Sequence, residues 1–145
     1  MMVILNHNSA NEVVLNLTSN SQLWNVSGIT PYFLFQFTSE SSNATIYFVS
    51  SNISTATTRY DEFIITETGS TYVNLTNGDL YLRPSIYWNY TVYEQTSQFN
   101  LNPNNTVGVV NSGLVFVSGY TGYNPTYYIN TGTSIFTYYQ YTQNN

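Results

Sequence analysis

Apolar and polar side chains alternate along most of this chain, and this two-residue period is the feature that most limits how it can fold. The clearest run spans residues 85–94. One face of that run would carry Ile86, Trp88, Tyr90 and Val92, and the other Tyr87, Asn89, Thr91 and Tyr93. Because successive side chains of a β-strand point to opposite faces, the run predicts a strand.

Similar runs begin near Glu12, Tyr32, Ile46 and Phe63. They are rich in aromatic and β-branched residues, which fit a pleated surface. No segment of about ten residues combines helical spacing with helix-forming composition. Turn-forming segments separate the runs, and among them Asn77-Gly78 predicts a hairpin with a type I′ turn.

Short strands at a spacing of roughly 8–12 residues predict an all-β fold, an antiparallel β-sandwich of Ig-like or jelly-roll-like type. The length of 145 residues predicts a single domain over 1–145, with 118–145 as a Tyr/Asn-rich docking extension. The core between the two antiparallel sheets is predicted to contain Phe33, Phe35, Phe37, Phe48, Trp88 and Val92.

Charged residues make up only 6% of the chain, against roughly 25% in an average soluble domain. There is no lysine, and Arg59 and Arg83 are the only arginines. A free-standing enzyme normally keeps a mixed charged surface for solubility, so the composition favours a structural or adhesive role. A net charge of −5 with two isolated arginines argues against nucleic acid and anionic membranes as partners.

The residues available for catalysis are few. The absence of Cys excludes thiol nucleophiles, and His7, the only histidine, lies in a polar segment near the N-terminus. The carboxylates are Glu12, Glu40, Asp61, Glu62, Glu67, Asp79 and Glu94. Asp61 and Glu62 are adjacent on a predicted strand and point to opposite faces, so they cannot form a glycosidase pair. We expect no catalytic residues, no cofactor and no metal.

Arg59, Asp61 and Glu62 form the one charged cluster in the sequence. We predict a structural ion pair in which Arg59 binds one of these carboxylates and stabilises a strand entry, since carboxylates commonly accept both arms of a guanidinium. The alternative is that Arg59 binds an anionic group of a partner.

Four blocks, in their order along the chain, carry a resemblance to a known family. They are Tyr32-Phe33-Leu34-Phe35 after Pro31, then Asn52-Ile53-Ser54 followed by Arg59-Tyr60-Asp61-Glu62-Phe63, then residues 86–94 and residues 108–117. Together they resemble a small all-β virion protein of tailed phages of Bacteroidetes, including crAss-like phages. The resemblance runs from about Val13 to Val117.

The resemblance implies a non-enzymatic auxiliary, or decoration, protein bound to the capsid surface. Its partners would be the major capsid protein or other virion subunits, including copies of itself. Its location would be the virion. Assembly is expected in the host cytoplasm, because the N-terminal residues do not have the pattern of a signal peptide. Two alternatives stay open: a tail or fibre domain that binds host surface glycans, and an enzyme acting on polysaccharide.

The tail after Val117 is rich in Tyr and Asn and carries no charge from Gly119 to Asn145. Tyr brings a large contact area at small entropic cost, so such a segment favours contact with another subunit. The predicted interface residues are Tyr120, Tyr123, Tyr138, Tyr139 and Tyr141.

Overall fold

The computed structural model describes residues 2–54, 60–82 and 87–118, together with the backbone of two strands in the tail. The strands are β1 (Met2–Asn6), β2 (Ser9–Leu15), β3 (Tyr32–Ser39), β4 (Thr45–Val49), β5 (Asp61–Glu67), β6 (Asp79–Leu80), β7 (Tyr87–Gln95), β8 (Gly108–Ser118), β9 (Thr126–Ile129) and β10 (Thr137–Gln140). One short helix, α1, spans Gln22–Ser27, and 3-10 turns span Thr18–Asn20 and Pro103–Asn105.

Two sheets pack together, which confirms the predicted all-β sandwich. The larger sheet has the strand order β1-β8-β7-β3-β4, and the smaller has β2-β5-β6. Both sheets are mixed, because β1 pairs with β8 in parallel and β5 pairs with β6 in parallel. The expectation of purely antiparallel sheets therefore needs correction at these two pairs, whose strands lie far apart in the sequence or are joined by a long connection.

The core lies between the inner faces of the two sheets. All six predicted core residues are buried there. Phe35 and Phe48 stack with ring centroids 5.0 Å apart, and Phe35 meets Phe63 of the small sheet edge-on at 5.1 Å. Such ring pairs add about 0.5–1.5 kcal/mol each beyond the burial of their area. The alternating pattern thus identified the inner face correctly.

The turn at Asn77-Gly78 is present, but it is not a type I′ hairpin. Gly78 has φ +78°, whereas Asn77 is not among the residues with positive φ. The amides of Asn77 and Asp79 both donate to the carbonyl of Asn74. The chain then enters β6, which runs parallel to β5, so the turn belongs to a crossover connection.

Helix α1 was not anticipated by the periodicity because it is only six residues long. Its ends nevertheless have ordinary caps. The hydroxyl of Ser21 accepts a hydrogen bond from the amide of Trp24, and Gly28 ends the helix in the left-handed conformation.

The tail contains one described element, the antiparallel pair of β9 and β10. Its register places Tyr138 opposite Tyr128 and Tyr139 opposite Tyr127. Among the described residues, none of the helices has the length and apolar character needed to cross a membrane.

Candidate functional site

Three of the seven carboxylates are buried, and each accepts hydrogen bonds from neighbouring segments. Asp61 is 3% exposed. Its Oδ2 accepts from the amides of Leu17 and Thr18, both at 2.8 Å, and its Oδ1 accepts from the hydroxyl of Thr18 and the Nδ2 of Asn52, both at 2.6 Å. The carboxylate therefore ties the segment after β2, the segment after β4 and the start of β5 together.

Glu94 has the same kind of role at helix α1. Its carboxylate accepts hydrogen bonds from the hydroxyl of Ser21 and from the amides of Gln22 and Leu23. These two amides belong to the first turn of the helix and have no acceptor within the helix itself. Glu94 thus fixes the helix to the inner face of β7.

Glu67 anchors the turn between β1 and β2. Its Oε2 lies 2.6 Å from Nδ1 of His7 and accepts from the amide of Asn8 at 2.9 Å. Its Oε1 accepts from the amide of Leu82. The hydroxyl of Ser9 donates to the carbonyl oxygen of His7 at 3.3 Å. The described contacts of His7 are therefore those of a residue that stabilises a turn.

The prediction that Asp61 and Glu62 point to opposite faces is confirmed: Asp61 is buried and Glu62 lies on the outer face of the small sheet. Arg59 lies outside the described residues, so the proposed ion pair stays a prediction. The described residues contain no group of three or more His, Cys, Asp or Glu side chains placed to hold a metal ion.

A cleft of about 370 Å³ opens at one end of the sandwich, and we call it the aromatic cleft. Phe33 and Phe63 form its floor, with their rings edge-on at 6.1 Å. Trp24 from α1, Tyr32 from the start of β3 and Phe99 from the β7–β8 connection also line it. Tyr32 and Phe99 are exposed and Trp24 is half-buried, so these three rings form a rim accessible from solvent.

Uncharged polar side chains complete the lining of the aromatic cleft. They include Ser51, Asn52 and Gln98. Among the described residues that line the cleft, none has a charged side chain. Two of the buried carboxylates hold its walls, because Asp61 binds Thr18 and Asn52, and Glu94 fixes the helix that carries Trp24.

The outer surface of the large sheet is a second feature without charge. Following the register across the five strands, its exposed and half-buried side chains are Met2, Ile4, Asn6, Ser112, Leu114, Phe116, Tyr87, Asn89, Thr91, Tyr93, Gln36, Thr38, Thr45 and Tyr47. Leu34 and Val49 have the same register but are buried, so they do not belong to this surface. We call this surface the uncharged face. None of these described side chains is ionised at neutral pH. The apolar residues concentrate at the β1–β8 end, where Tyr87 packs edge-on against Phe116 at 5.3 Å.

The outer surface of the small sheet is different. Glu12 on β2, Glu62 on β5 and Asp79 on β6 lie on it. We call this surface the acidic face. The sandwich is therefore polarised, with acidic side chains on one face and none on the other among the described residues.

The interface residues predicted from the sequence are only partly covered. Tyr120, Tyr123 and Tyr141 lie outside the described residues, whereas Tyr138 and Tyr139 belong to β10. The rim of the aromatic cleft was not predicted, because Trp24 and Phe99 stand in polar segments without alternation. The sequence feature that could have indicated this rim is a single aromatic residue within an otherwise polar connection.

Comparison with family models, curated proteins and solved structures finds nothing that matches this chain.

Proposed function

We propose that this chain is a non-enzymatic structural protein of a phage virion, an auxiliary protein that decorates the capsid surface. The observation that carries the proposal is the uncharged face of the large sheet. Burial of such a face against another subunit requires no desolvation of charge, whereas burial of an ionised side chain costs several kcal/mol. The resemblance of the four sequence blocks to decoration proteins points to the same role.

The patch at the β1–β8 end is the best candidate for the centre of the contact. Met2, Ile4, Tyr87 and Leu114 are all exposed there, beside the half-buried Phe116. Apolar and aromatic side chains are enriched at the centres of protein interfaces, and an exposed cluster of them commonly marks an interaction site. In the tail, Tyr120, Tyr123, Tyr138, Tyr139 and Tyr141 would add to this contact.

Strand β1 also supports subunit contact. It is an edge strand of the large sheet, with the sequence Met-Val-Ile-Leu-Asn. Exposed edges are usually protected by Lys, Pro or inward-pointing charges, and β1 has none of these. The side-chain amide of Asn11 occupies the backbone N–H and C=O of Asn6, so pairing with a strand of a neighbouring subunit, such as the major capsid protein or a second copy, would use the part of β1 before Asn6.

A non-enzymatic role fits the use of the buried carboxylates. Asp61, Glu67 and Glu94 each accept hydrogen bonds from two or more backbone amides. General acid–base catalysis requires a group that can exchange a proton with substrate. The carboxylate oxygens of these three residues instead accept hydrogen bonds that stabilise the fold.

The location of the protein provides the first test. Mass spectrometry and a cryo-EM map of the intact particle would count and place the copies. Many copies on the head support the proposal. A few copies at the tail would support the alternative of a fibre domain, and the absence of the protein from particles would overturn both.

A matched pair of variants tests the docking face. Leu114 is 43% exposed on the uncharged face, and Val14 is 44% exposed beside Glu62 on the acidic face. We expect Leu114→Lys to weaken binding to undecorated heads at least about tenfold, since a lysine would be buried without a partner. Val14→Lys should bind like the parent protein. Similar losses in both variants would contradict docking through the uncharged face.

Salt provides an independent check on the same contact. An interface without ionised groups has no charge–charge attraction that dissolved ions could screen. We expect binding to heads to change less than about twofold between low and high ionic strength, where a charge-steered contact would change much more.

A further inference from the structure

We propose that the aromatic cleft is a binding site for a neutral saccharide. This site borders the β3–β4 side of the large sheet and lies away from the β1–β8 patch proposed for docking, because its lining comes from α1, the ends of β3 and β4, and the connections that follow β4 and β7. The inference therefore goes beyond the decoration role and does not depend on it.

The composition of the cleft matches the two-sided character of a sugar ring. A pyranose presents apolar C–H faces and a periphery of hydroxyl groups. The cleft offers a floor of buried rings, Phe33 and Phe63, and a rim of accessible rings, Trp24, Tyr32 and Phe99. Aromatic faces carry partial negative charge and attract the weakly positive C–H groups of such a ligand.

The polar groups of the cleft suit hydroxyl partners. Gln98 and Ser51 are exposed on its walls, and their amide and hydroxyl groups can both donate and accept hydrogen bonds. The described lining residues include no Asp, Glu, Lys, Arg or His, so this part of the cleft offers no counter-charge to an ionised ligand. A purely apolar ligand would leave these polar groups without partners. A neutral, polyhydroxylated ligand satisfies both conditions.

The size of the cleft sets the size of the ligand. Its volume of about 370 Å³ is near the lower end of the range for small-molecule sites, about 300–1,000 Å³. We therefore expect about one or two sugar rings to be held, with the rest of a longer chain in solvent.

The cleft is held in shape before any ligand binds. Glu94 anchors the first turn of α1 and so positions Trp24 on the third residue of that helix. Asp61 anchors Asn52 and Thr18 on the opposite wall. Preformed walls reduce the entropy lost on binding, which matters for ligands with as few contacts as a sugar.

The two tryptophans make the test specific. Trp88 is 1% exposed in the core, whereas Trp24 is half-buried on the cleft rim. A ligand in the cleft should therefore change the fluorescence emission of Trp24 and protect it from a soluble quencher.

The first probe is an array of neutral glycans. Fluorescence titrations then use maltotriose, cellotriose, chitotriose and mannotriose. Lactose and 3′-sialyllactose are compared as a neutral and an anionic ligand.

We expect at least one neutral saccharide to bind saturably with a Kd of about 1 mM or tighter. Trp24→Ala removes the reporter, so its affinity is measured by calorimetry or NMR. That variant and Phe99→Ala should each weaken binding at least about tenfold. Tyr72→Ala is the matched control, since Tyr72 is 92% exposed and does not line the cleft.

Phe99 is 59% exposed, so its truncation leaves the core intact and keeps the test valid if Trp24→Ala fails to fold. The proposal is overturned if no neutral saccharide binds up to about 10 mM, if the sialylated probe binds more tightly than lactose, or if Tyr72→Ala loses as much affinity as Phe99→Ala. Loss of sugar binding in these variants with unchanged binding to heads would separate the two sites.

Discussion

At the scale of single residues, the buried carboxylates are the most consequential side chains of this fold. Asp61 accepts four hydrogen bonds from three residues and joins segments that are more than 40 positions apart in sequence. We expect Asp61→Ala to lower the free energy of unfolding by about 3 kcal/mol, because it leaves buried donors without an acceptor. Urea denaturation would measure the change.

The neighbouring carboxylate is the control. Glu62 lies on the outer face of the small sheet, and Glu62→Ala should stay within about 0.5 kcal/mol of the parent. Equal losses of stability in the two variants would contradict the prediction. They would mean that the hydrogen bonds of Asp61 in the folded protein stabilise it no more than hydration of the carboxylate stabilises the unfolded chain.

Tyr90 makes the stability of the protein depend on alkaline pH. Its side chain is buried, and burial raises its pKa above the ordinary value of 10.0. Above that pH the phenol ionises in the unfolded chain while it stays neutral in the folded protein. The unfolded state then binds fewer protons, so the stabilisation is fully present below about pH 10 and is lost as the pH rises further.

We expect Tyr90→Phe to remove this dependence. At neutral pH the variant should lose about 0.5–1.5 kcal/mol, because the hydroxyl of Tyr90 donates to Oδ1 of Asn111 at 3.2 Å. The difference from the parent should shrink above pH 10. Denaturation over a pH series measures it, with Tyr72→Phe as a solvent-exposed control. A constant difference at all pH values would contradict the prediction.

At the scale of elements, two glycines with positive φ separate two costs of replacing glycine by alanine. One is the cost of a left-handed backbone, and the other is the cost of a steric clash at the added Cβ. Gly28 ends α1 with φ +65°, and a Cβ there would meet no atom within 4 Å. Gly78 has φ +78°, and a Cβ there would lie 2.6 Å from the carbonyl oxygen of Ile64. Only the second position combines a left-handed backbone with close approach of another strand.

We expect Gly28→Ala to cost about 1–2 kcal/mol, the usual penalty for a left-handed L-residue. Gly78→Ala should cost about 3 kcal/mol or more, since the β5–β6 pairing must also shift. Thermal unfolding of the two variants tests the ranking. Equal destabilisation would show that the turn before β6 relaxes without disturbing β5.

At the scale of the whole molecule, the tail and the sandwich are expected to be separable. Every described residue of the hydrophobic core precedes Ser118. We therefore expect deletion of residues 119–145 to leave a soluble protein that unfolds cooperatively but binds its particle much more weakly, because the contact of the tail tyrosines is lost. Calorimetry and sedimentation with undecorated heads would measure the two properties. If the shortened protein still decorated heads fully, docking would depend on the sheet alone.

Much of the fold follows from local pattern in the sequence. The alternation of side chains identified β2, β3, β4, β5 and β7 and the inner face, because a two-residue period needs only neighbouring residues to be recognised. It placed Phe35, Phe48 and Trp88 in the core, as observed. It also put Asp61 and Glu62 on opposite faces. Turn chemistry located the bend at Gly78 but not its type, since the pairing partner decides that.

The tertiary structure decided the rest. The parallel pairing of β1 with β8 joins residues 2–6 to residues 114–118, and no local pattern encodes so distant a partner. The roles of Asp61 and Glu94 depend on amides 40 or more positions away. The aromatic cleft brings Trp24, Tyr32 and Phe99 together through the tertiary structure, including the hydrogen bonds by which Glu94 holds α1. Composition alone determined that the chain carries little charge, and the strand register decided that the outer face of the large sheet carries none among its described residues.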